Sequence, residues 1–465
     1  MHALIERQRI LQRDRPWNVV PRHLKGYTRA VEHMYSILGN IIKKKAMILR
    51  SCEEMAETYD GTKRAHYRQC AIEMQHNPIT WRRRREITHA PSGKWGELSR
   101  RPRVLLVQEV RAKGAPGVKA GTPLRAPILV EGRYRSLVET ALHSFMSAHG
   151  HHHVASGMDL YRRGRKITQY CRKGWLVLSC DWKSFDGSLG EIGVVERNAF
   201  LSTMKKLFGD DEALAATIWS QNFCTIQGGP VSAKMYGNRG SGTAGTSSGN
   251  KVVVLSALHY ALGPALKGAN SCQLFCDGDD TLIFVPPEHR RWVPSWTRRL
   301  TELGLETKVE QEIDNDAVDS QEATVRFCRA GVITTQHGPF LCKRPEDMLK
   351  VATNFRRHFR GPRFKDYVAT LGTGYSNAYG HVPILHAVGA MFIMASPKGK
   401  VDHSLYEGAG LEYMISKQPS RSHGSISMQD RLSFCRTFGV TPQDQILCED
   451  LLHQEGVHLR SLLVS

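Results

Sequence analysis

The alternation of apolar and polar residues divides the chain into blocks. Residues 1–100 read as mostly helical, and 101–136, rich in Gly, Pro, Arg and Lys, as loops and short strands. A helix is expected over 137–148, and the apolar run Trp175–Cys180 suits a buried strand. Helical patterns follow over about 190–222 and 251–262, separated by a Gly- and Ser-rich stretch at 228–250. Residues 272–285 form two apolar runs around a polar turn, which is a hairpin signal. A helix at 291–304, strands at 324–342 and a mainly helical, basic region from 346 complete the pattern. The longest apolar stretches are Val252–Leu266, interrupted by Ser256, His259, Tyr260, Gly263 and Pro264, and the shorter Ile384–Ala395. A membrane span needs ~20 mostly apolar residues, so none is expected. The segment MHALIERQRI lacks the apolar core of a signal peptide.

Composition changes the picture in one respect. The chain has 465 residues, 41% hydrophobic and 23% charged, as in ordinary globular proteins of several domains. Its net charge of +20 is not ordinary. Such a surface attracts polyanions, nucleic acid first and anionic membranes second. Basic clusters lie at Arg82–Arg85, at 162–166, and at 353–367, where Arg356, Arg360 and Arg363 interleave with Phe355, Phe359 and Phe364. Each is a candidate phosphate contact or a solvated face. The eleven cysteines are scattered, with no paired CxxC motifs, so structural zinc is not suggested. Cys272 and Cys276 read as buried thiols, and the compartment as reducing and cytosolic. The run His149–His153 has no acidic or cysteine partner nearby and reads as a flexible polar loop.

The acidic residues sit where strands end. Asp181 closes the apolar run from Leu176, and Asp186 follows five residues later beside Gly187. Asp277-Gly278-Asp279-Asp280 occupies the tight turn between two apolar strands, with Gly278 supplying the backbone freedom the turn needs. Carboxylates on adjacent strands are a rigid way to hold hard cations such as Mg²⁺. A pair of such ions ~4 Å apart can drive phosphoryl transfer. Asp-Gly and Gly-Asp-Asp are also ordinary turn residues, and taken alone they would be read so. Between the two acidic segments a glycine-rich loop, with Gly240, Ser241, Gly242 and Gly245, runs into a helix bearing Thr246 and Asn250. Four residues apart, these two share a helical face and can bond a hydroxyl-bearing substrate.

These three segments, in this order, resemble motifs A, B and C of viral RNA-dependent RNA polymerases. Motif A is matched by Asp181 and Asp186, motif B by Ser241, Gly242, Thr246 and Asn250, and motif C by Gly278, Asp279 and Asp280. Gly304–Glu310 resembles motif D, with Lys308 at its lysine. Phe327-Cys328-Arg329 with Phe340–Pro345 resembles motif E, and Leu124–Pro127 with Gly132-Arg133-Tyr134 resembles motif F. The tombusvirus-like and nodavirus-like polymerases are the most similar group, over roughly residues 100–350. The chain departs from the pattern at Thr243, where those enzymes usually carry an acid, and in the disturbed Pro-Arg order around Arg125.

The resemblance implies an α+β right-hand fold. Its parts would be an N-terminal extension and fingers (1–174), palm (175–190), fingers insert (191–235), palm (236–345) and a mostly helical thumb (346–465). The palm would be an antiparallel sheet backed by helices. It also implies two Mg²⁺ ions, with Mn²⁺ as a substitute, held by Asp181, Asp279 and Asp280, and Lys308 as a catalytic acid. Asp186, Ser241, Gly242, Thr246, Asn250, Arg125 and Arg133 would bind substrate. The partners implied are template and product RNA, ribonucleoside triphosphates and a viral or host membrane-anchoring replication protein, at membrane-associated complexes in the host cytoplasm. A reverse transcriptase shares the palm aspartates but lacks the Asp186–Asn250 pair and typically has an aromatic residue at the position of Gly278. A basic RNA-packaging protein would not need Asp181, Asn250 and Asp279 at this spacing.

Overall fold

The computed structural model describes residues 21–59, 61–76, 79–91, 104–114, 122–146, 151–182, 185–228, 231–240, 243–268, 270–314, 325–348, 361–402 and 425–464. It is α+β and divides into two compact units, Met1–Ser156 with Leu178–Glu310, and Gly157–Val177 with Gln311–Ser465.

The first unit opens with helix α1 (Pro21–Lys44), whose buried Tyr27, Val31, Met34, Tyr35, Leu38 and Ile42 recur at helical spacing. Helices α2 (Cys52–Glu57) and α3 (Gly61–His76) follow, then strands β1 (Ile79–Pro91) and β2 (Val104–Gly114). The Arg82–Arg85 run therefore lies on a strand, at a register shift between Trp81 and Arg85, and not on a loop or helix. Helix α4 spans Thr122–His143, where loops and strands were expected up to 136. Pro127 and Gly132 read locally as breakers, but Ala126, Leu129, Val130, Tyr134, Val138 and Ala141 are buried along one face. That burial outweighs the roughly 3 kcal/mol a helical proline costs.

The second unit takes helix α5 (Leu160–Tyr170), which packs on its own sheet. Strand β3 (Leu176–Trp182) returns the chain to the first unit, followed by the short α6 (Phe185–Ser188), α7 (Gly190–Phe208) and α8 (Glu212–Asn222). Strands β4 (Phe223–Gly228) and β5 (Val231–Tyr236) come next; β5 lies inside the stretch read as a glycine-rich loop. Helix α9 (Thr246–Leu262) is central: Ser248–Leu258 is buried without a break. The hairpin strands β6 (Gln273–Asp277) and β7 (Asp280–Val285), helix α10 (Val293–Glu302) and strand β8 (Thr307–Asp314) follow. One sheet runs β2-β1-β4-β5 and another β6-β7-β3-β8.

The second unit is completed by β9 (Arg326–Phe327), β10 (Ala330–Thr335) and β11 (Gly338–Lys343), in the order β11-β10-β9. Helices α11 (Pro362–Tyr379), α12 (Leu385–Ala395), α13 (Met428–Phe438) and α14 (Pro442–Val464) surround a core that includes Phe340, Tyr375, Tyr379 and Phe434. The basic run at 353–367 lies outside the described residues up to 360; Arg363 and Lys365 begin α11. Among the described residues no helix is long and apolar enough to cross a membrane.

The histidine run departs from its expectation. Residues 149–150 lie outside the described set, but the chain beyond them is built against β6. Cys276 N–H donates to the His153 carbonyl (2.9 Å), and Ala155 N–H to the Cys276 carbonyl (2.9 Å). His153 is 2% exposed, and its ring lies 5.8 Å from that of His259 on α9. Neither His153 nitrogen nor Nε2 of His259 has a hydrogen-bond partner. Burial, then the neighbouring His259, His151 and His152, hold His153 down to about 3; burial, then His33, hold His259 down to about 4. Composition marked this segment as polar loop, but backbone pairing to a central strand took it inside. Cys272 and Cys276 are buried free thiols, as expected, and burial pushes both up to about 12.

Candidate functional site

The hairpin turn is set by Gly278, whose φ of +74° is open to glycine at little cost. Asp277 pairs with Asp280 on the last rung, leaving Gly278 and Asp279 as a two-residue loop. Glycine first in such a loop is the type II′ arrangement, which matches strand twist. Strand β3 lies beside β7 and carries Asp181 near its end, where Oδ1 accepts from the Trp182 N–H (2.9 Å). The Asp279 side chain reaches solvent, yet its carboxyl is raised above the ordinary value. Partial desolvation is the first cause, and the negative charges of Asp186, Asp181 and Asp277 add to it. The fold thus brings the strand-end aspartates together, and like charges gathered this way favour a cation among them.

Among the described residues no three His, Cys, Asp or Glu side chains close on a point as a complete metal cage. The donor set still fits Mg²⁺, which is commonly bound by one or two carboxylates and completes its octahedron with water and substrate phosphate. Asp181 and Asp279 supply hard oxygens of that kind, with Asp280 and Asp277 on the adjoining rung.

Asp186 and Asn250 are also brought together. Asn250 Nδ2 donates to Asp186 Oδ1 (2.9 Å), and Asn250 Oδ1 is buried without a partner. Oδ1 and the carboxylate are acceptors that can take the proton of a hydroxyl, and the second hydrogen on Nδ2 is a donor that can meet its oxygen. Thr246 opens α9 one turn before Asn250, and its hydroxyl donates to the Gly240 carbonyl (3.0 Å), closing the loop that precedes the helix. Ser241 and Gly242 lie outside the described residues.

Lys308 is exposed, the second residue of β8, on the strand next to β3. The contacts shown for Arg125 and Arg133 are with groups outside the acidic cluster. Arg125 lies close enough to Tyr67 and Cys70 of α3 to act on both electrostatically. Arg133 Nη2 bonds Asp211 Oδ2 (3.0 Å), which also accepts from the Tyr134 hydroxyl (2.9 Å). Three residues that stand close to these candidates carry weaker signals, or none, in the sequence. Asp277 was legible as a strand-end acid beside Gly278. Arg239 and Glu196, buried behind the Asp186–Asn250 pair, carry no local signal, because their pairing is tertiary.

The chain belongs to the viral RNA dependent RNA polymerase family, whose model matches residues 1–459. It is 22% identical over 434 residues to the RNA-directed RNA polymerase of Pothos latent virus (isolate Pigeonpea/India), covering 90% of this chain and 54% of that protein. It is 21% identical over 347 residues to a putative RNA-directed RNA polymerase of Barley yellow dwarf virus (isolate PAV), covering 72% of this chain and 38% of that protein. A similar match, 23% over 345 residues, is to the RNA-directed RNA polymerase of Oat chlorotic stunt virus (isolate United Kingdom), covering 69% and 44%. The chain thus spans between about two fifths and just over half the length of these relatives.

Proposed function

We propose that this chain performs template-directed RNA synthesis from ribonucleoside triphosphates by two-metal-ion nucleotidyl transfer, replicating a viral RNA genome. The observation that carries the reading is the role of Asp186, which adds its charge to the Asp279 cluster and accepts a hydrogen bond from Asn250. A phosphate-handling site and a hydroxyl-sensing site meet there. Asp181, Asp279 and Asp280 would hold the metal ions, Mg²⁺ or substituting Mn²⁺. When bound, these supply activation of the attacking 3′-oxygen and stabilisation of the leaving oxygen. The protein's part is positional. Asp186, Thr246 and Asn250 orient the ribose, with Ser241 and Gly242 in the loop before them. Lys308 delivers a proton to the pyrophosphate as the α–β phosphoanhydride bond breaks, and Arg125 and Arg133 are the candidates for the triphosphate.

The same reading casts the β6-β7-β3-β8 sheet and α9 as palm, the regions before and between as fingers, and 346–465 as thumb. RNA template and product would follow basic surfaces, in keeping with the +20 charge. A viral or host replication protein would supply attachment to membranes of the host cytoplasm. The test is Asp279→Ala, with Asp181→Ala beside it, assayed for labelled nucleotide incorporation on RNA and DNA templates. Nucleotide addition should vanish while RNA affinity, carried by many Lys and Arg contacts, is retained. Substantial polymerisation by either folded variant would overturn the assignment. Incorporation of deoxyribonucleotides in preference would favour a reverse transcriptase, and RNA binding without any incorporation by the wild type a packaging protein.

A further inference from the structure

Sugar discrimination by hydrogen bonding depends on a fixed separation between the partners that meet the hydroxyl. Asp186 and Asn250 lie on different helices, α6 and α9, so something must hold those helices in register. One buried residue reaches both, by its backbone to the first and by its side chain to the second. Arg239 is 2% exposed and sits in the loop between β5 and α9. Its backbone N–H donates to the Asp186 carbonyl (3.0 Å). Its Nη1 donates to the carbonyl of Gly245, the residue before α9 begins (2.9 Å). The guanidinium also lies over Gly249, the neighbour of Asn250: a Cβ there would come 2.4 Å from Nη1. Any larger residue at 249 would displace the arginine.

The charge of Arg239 is met by Glu196 on α7, through Nη2 to Oε2 (2.8 Å). The other oxygen of Glu196 accepts from Arg135 Nη1 (2.7 Å) and from the Tyr35 hydroxyl. Burial acts to raise the Glu196 carboxyl, but Arg135 and Arg239 outweigh it and hold it down at about 2, so it stays ionised. Burying such a group of charges is expensive, and apolar replacements of similar volume are often neutral or stabilising. Stability alone therefore does not account for it; a requirement for fixed geometry does.

We propose that Arg239, oriented by Glu196, is a positioning residue that sets the Asp186–Asn250 separation and through it the preference for ribonucleotides. This rests on the reading of Asp186 and Asn250 as the sugar-sensing pair. Arg239 touches neither substrate nor metal in this scheme. Its planar fork serves two acceptors at once, which a lysine ammonium on a flexible stem does not reproduce.

The test compares specificity constants for a ribonucleotide and its deoxy analogue in the full chain, with wild type, Arg239→Lys, Glu196→Gln and Asn250→Ala. Thermal melts and RNA affinity report folding. Arg239→Lys should narrow the ribo/deoxy ratio by about tenfold or more, mostly through slower ribonucleotide incorporation, because loosened polar partners no longer reject the analogue. Glu196→Gln, which keeps the shape and removes the charge, should narrow it in the same direction and serves if Arg239→Lys does not fold. A folded variant that slows both substrates equally, with the wild-type ratio, would overturn the proposal and leave Arg239 as a brace. Narrowing by Asn250→Ala without narrowing by Arg239→Lys or Glu196→Gln would sink the positioning role alone. An unchanged ratio in Asn250→Ala would remove the sugar-sensing reading and the proposal with it.

Discussion

Replacing His153 and His259 together with leucine should make the protein markedly less sensitive to mild acid. His153 is buried with neither ring nitrogen partnered, His259 is largely enclosed with its Nε2 buried and unpartnered, and their folded-state values are about 3 and about 4. An unfolded histidine titrates near 6.5, so between these limits the unfolded chain binds more protons than the folded one. Stability is therefore complete above pH ~6.5 and is lost as the pH falls towards the folded values. At pH 5.0 each ring lies about 1.5 units below its unfolded value, which costs roughly 2 kcal/mol, or ~4 kcal/mol for the pair. That is a large share of the ~5–15 kcal/mol that ordinarily separates folded from unfolded states. His33, His151 and His152 influence the same rings and remain in the variant, as do the acidic groups, so the comparison is of differences. Urea unfolding at pH 7.5 and 5.0, followed by circular dichroism, gives the loss for each protein. The wild type should lose about 4 kcal/mol more than the double variant between the two pH values. Equal losses would mean that the rings are solvated or already charged in the folded state, and the buried-pair account would be wrong.

Three further outcomes follow from the site. Asn250→Ala should lose more activity with ribonucleotides than with deoxyribonucleotides, since the free Oδ1 and the bond to Asp186 disappear together; an unchanged ratio of specificity constants refutes the sugar-sensing role. Lys308→Leu should slow single-turnover chemistry by ~10²–10⁴-fold with little change in nucleotide affinity, and wild-type rates would return Lys308 to an exposed surface residue. RNA affinity should fall steeply from low to moderate salt and depend little on sequence, as expected for phosphate contacts by a chain of net charge +20; a flat salt response contradicts it.

The placement of the candidate residues was more legible than the scaffold around them. Asp181, Asp186, Asn250 and Asp279 stand at strand ends, in a turn and on a helix face, positions that local pattern alone marks out. Gly278 announced its turn because few other residues accept a positive φ there. Helix α4 was hidden by Pro127 and Gly132, whose local preferences are overridden by a buried face that emerges only on packing. The strand at Arg82–Arg85 was hidden by its charge. The pairing of Arg239 with Glu196 and Arg135 joins residues far apart in sequence, and a buried ion pair has no spacing rule. His153 shows the converse: a polar run marked as exposed is drawn inward by main-chain bonds to β6, which depend on no side chain.

Those main-chain bonds have a consequence for behaviour in crowded solution. Strand β6 ends its sheet, and an end strand offers unused amides and carbonyls to any extended chain that meets it. The bonds between Cys276 and the His153–Ala155 stretch occupy that outer margin beside the Gly278 turn. At the opposite margin, β8 presents Lys308 and Glu312 to solvent, charges that discourage flat stacking of one molecule on another. The same short stretch of chain that steadies the hairpin therefore also shields it from strand-to-strand association, so loosening it should show first as aggregation and only afterwards as lost chemistry.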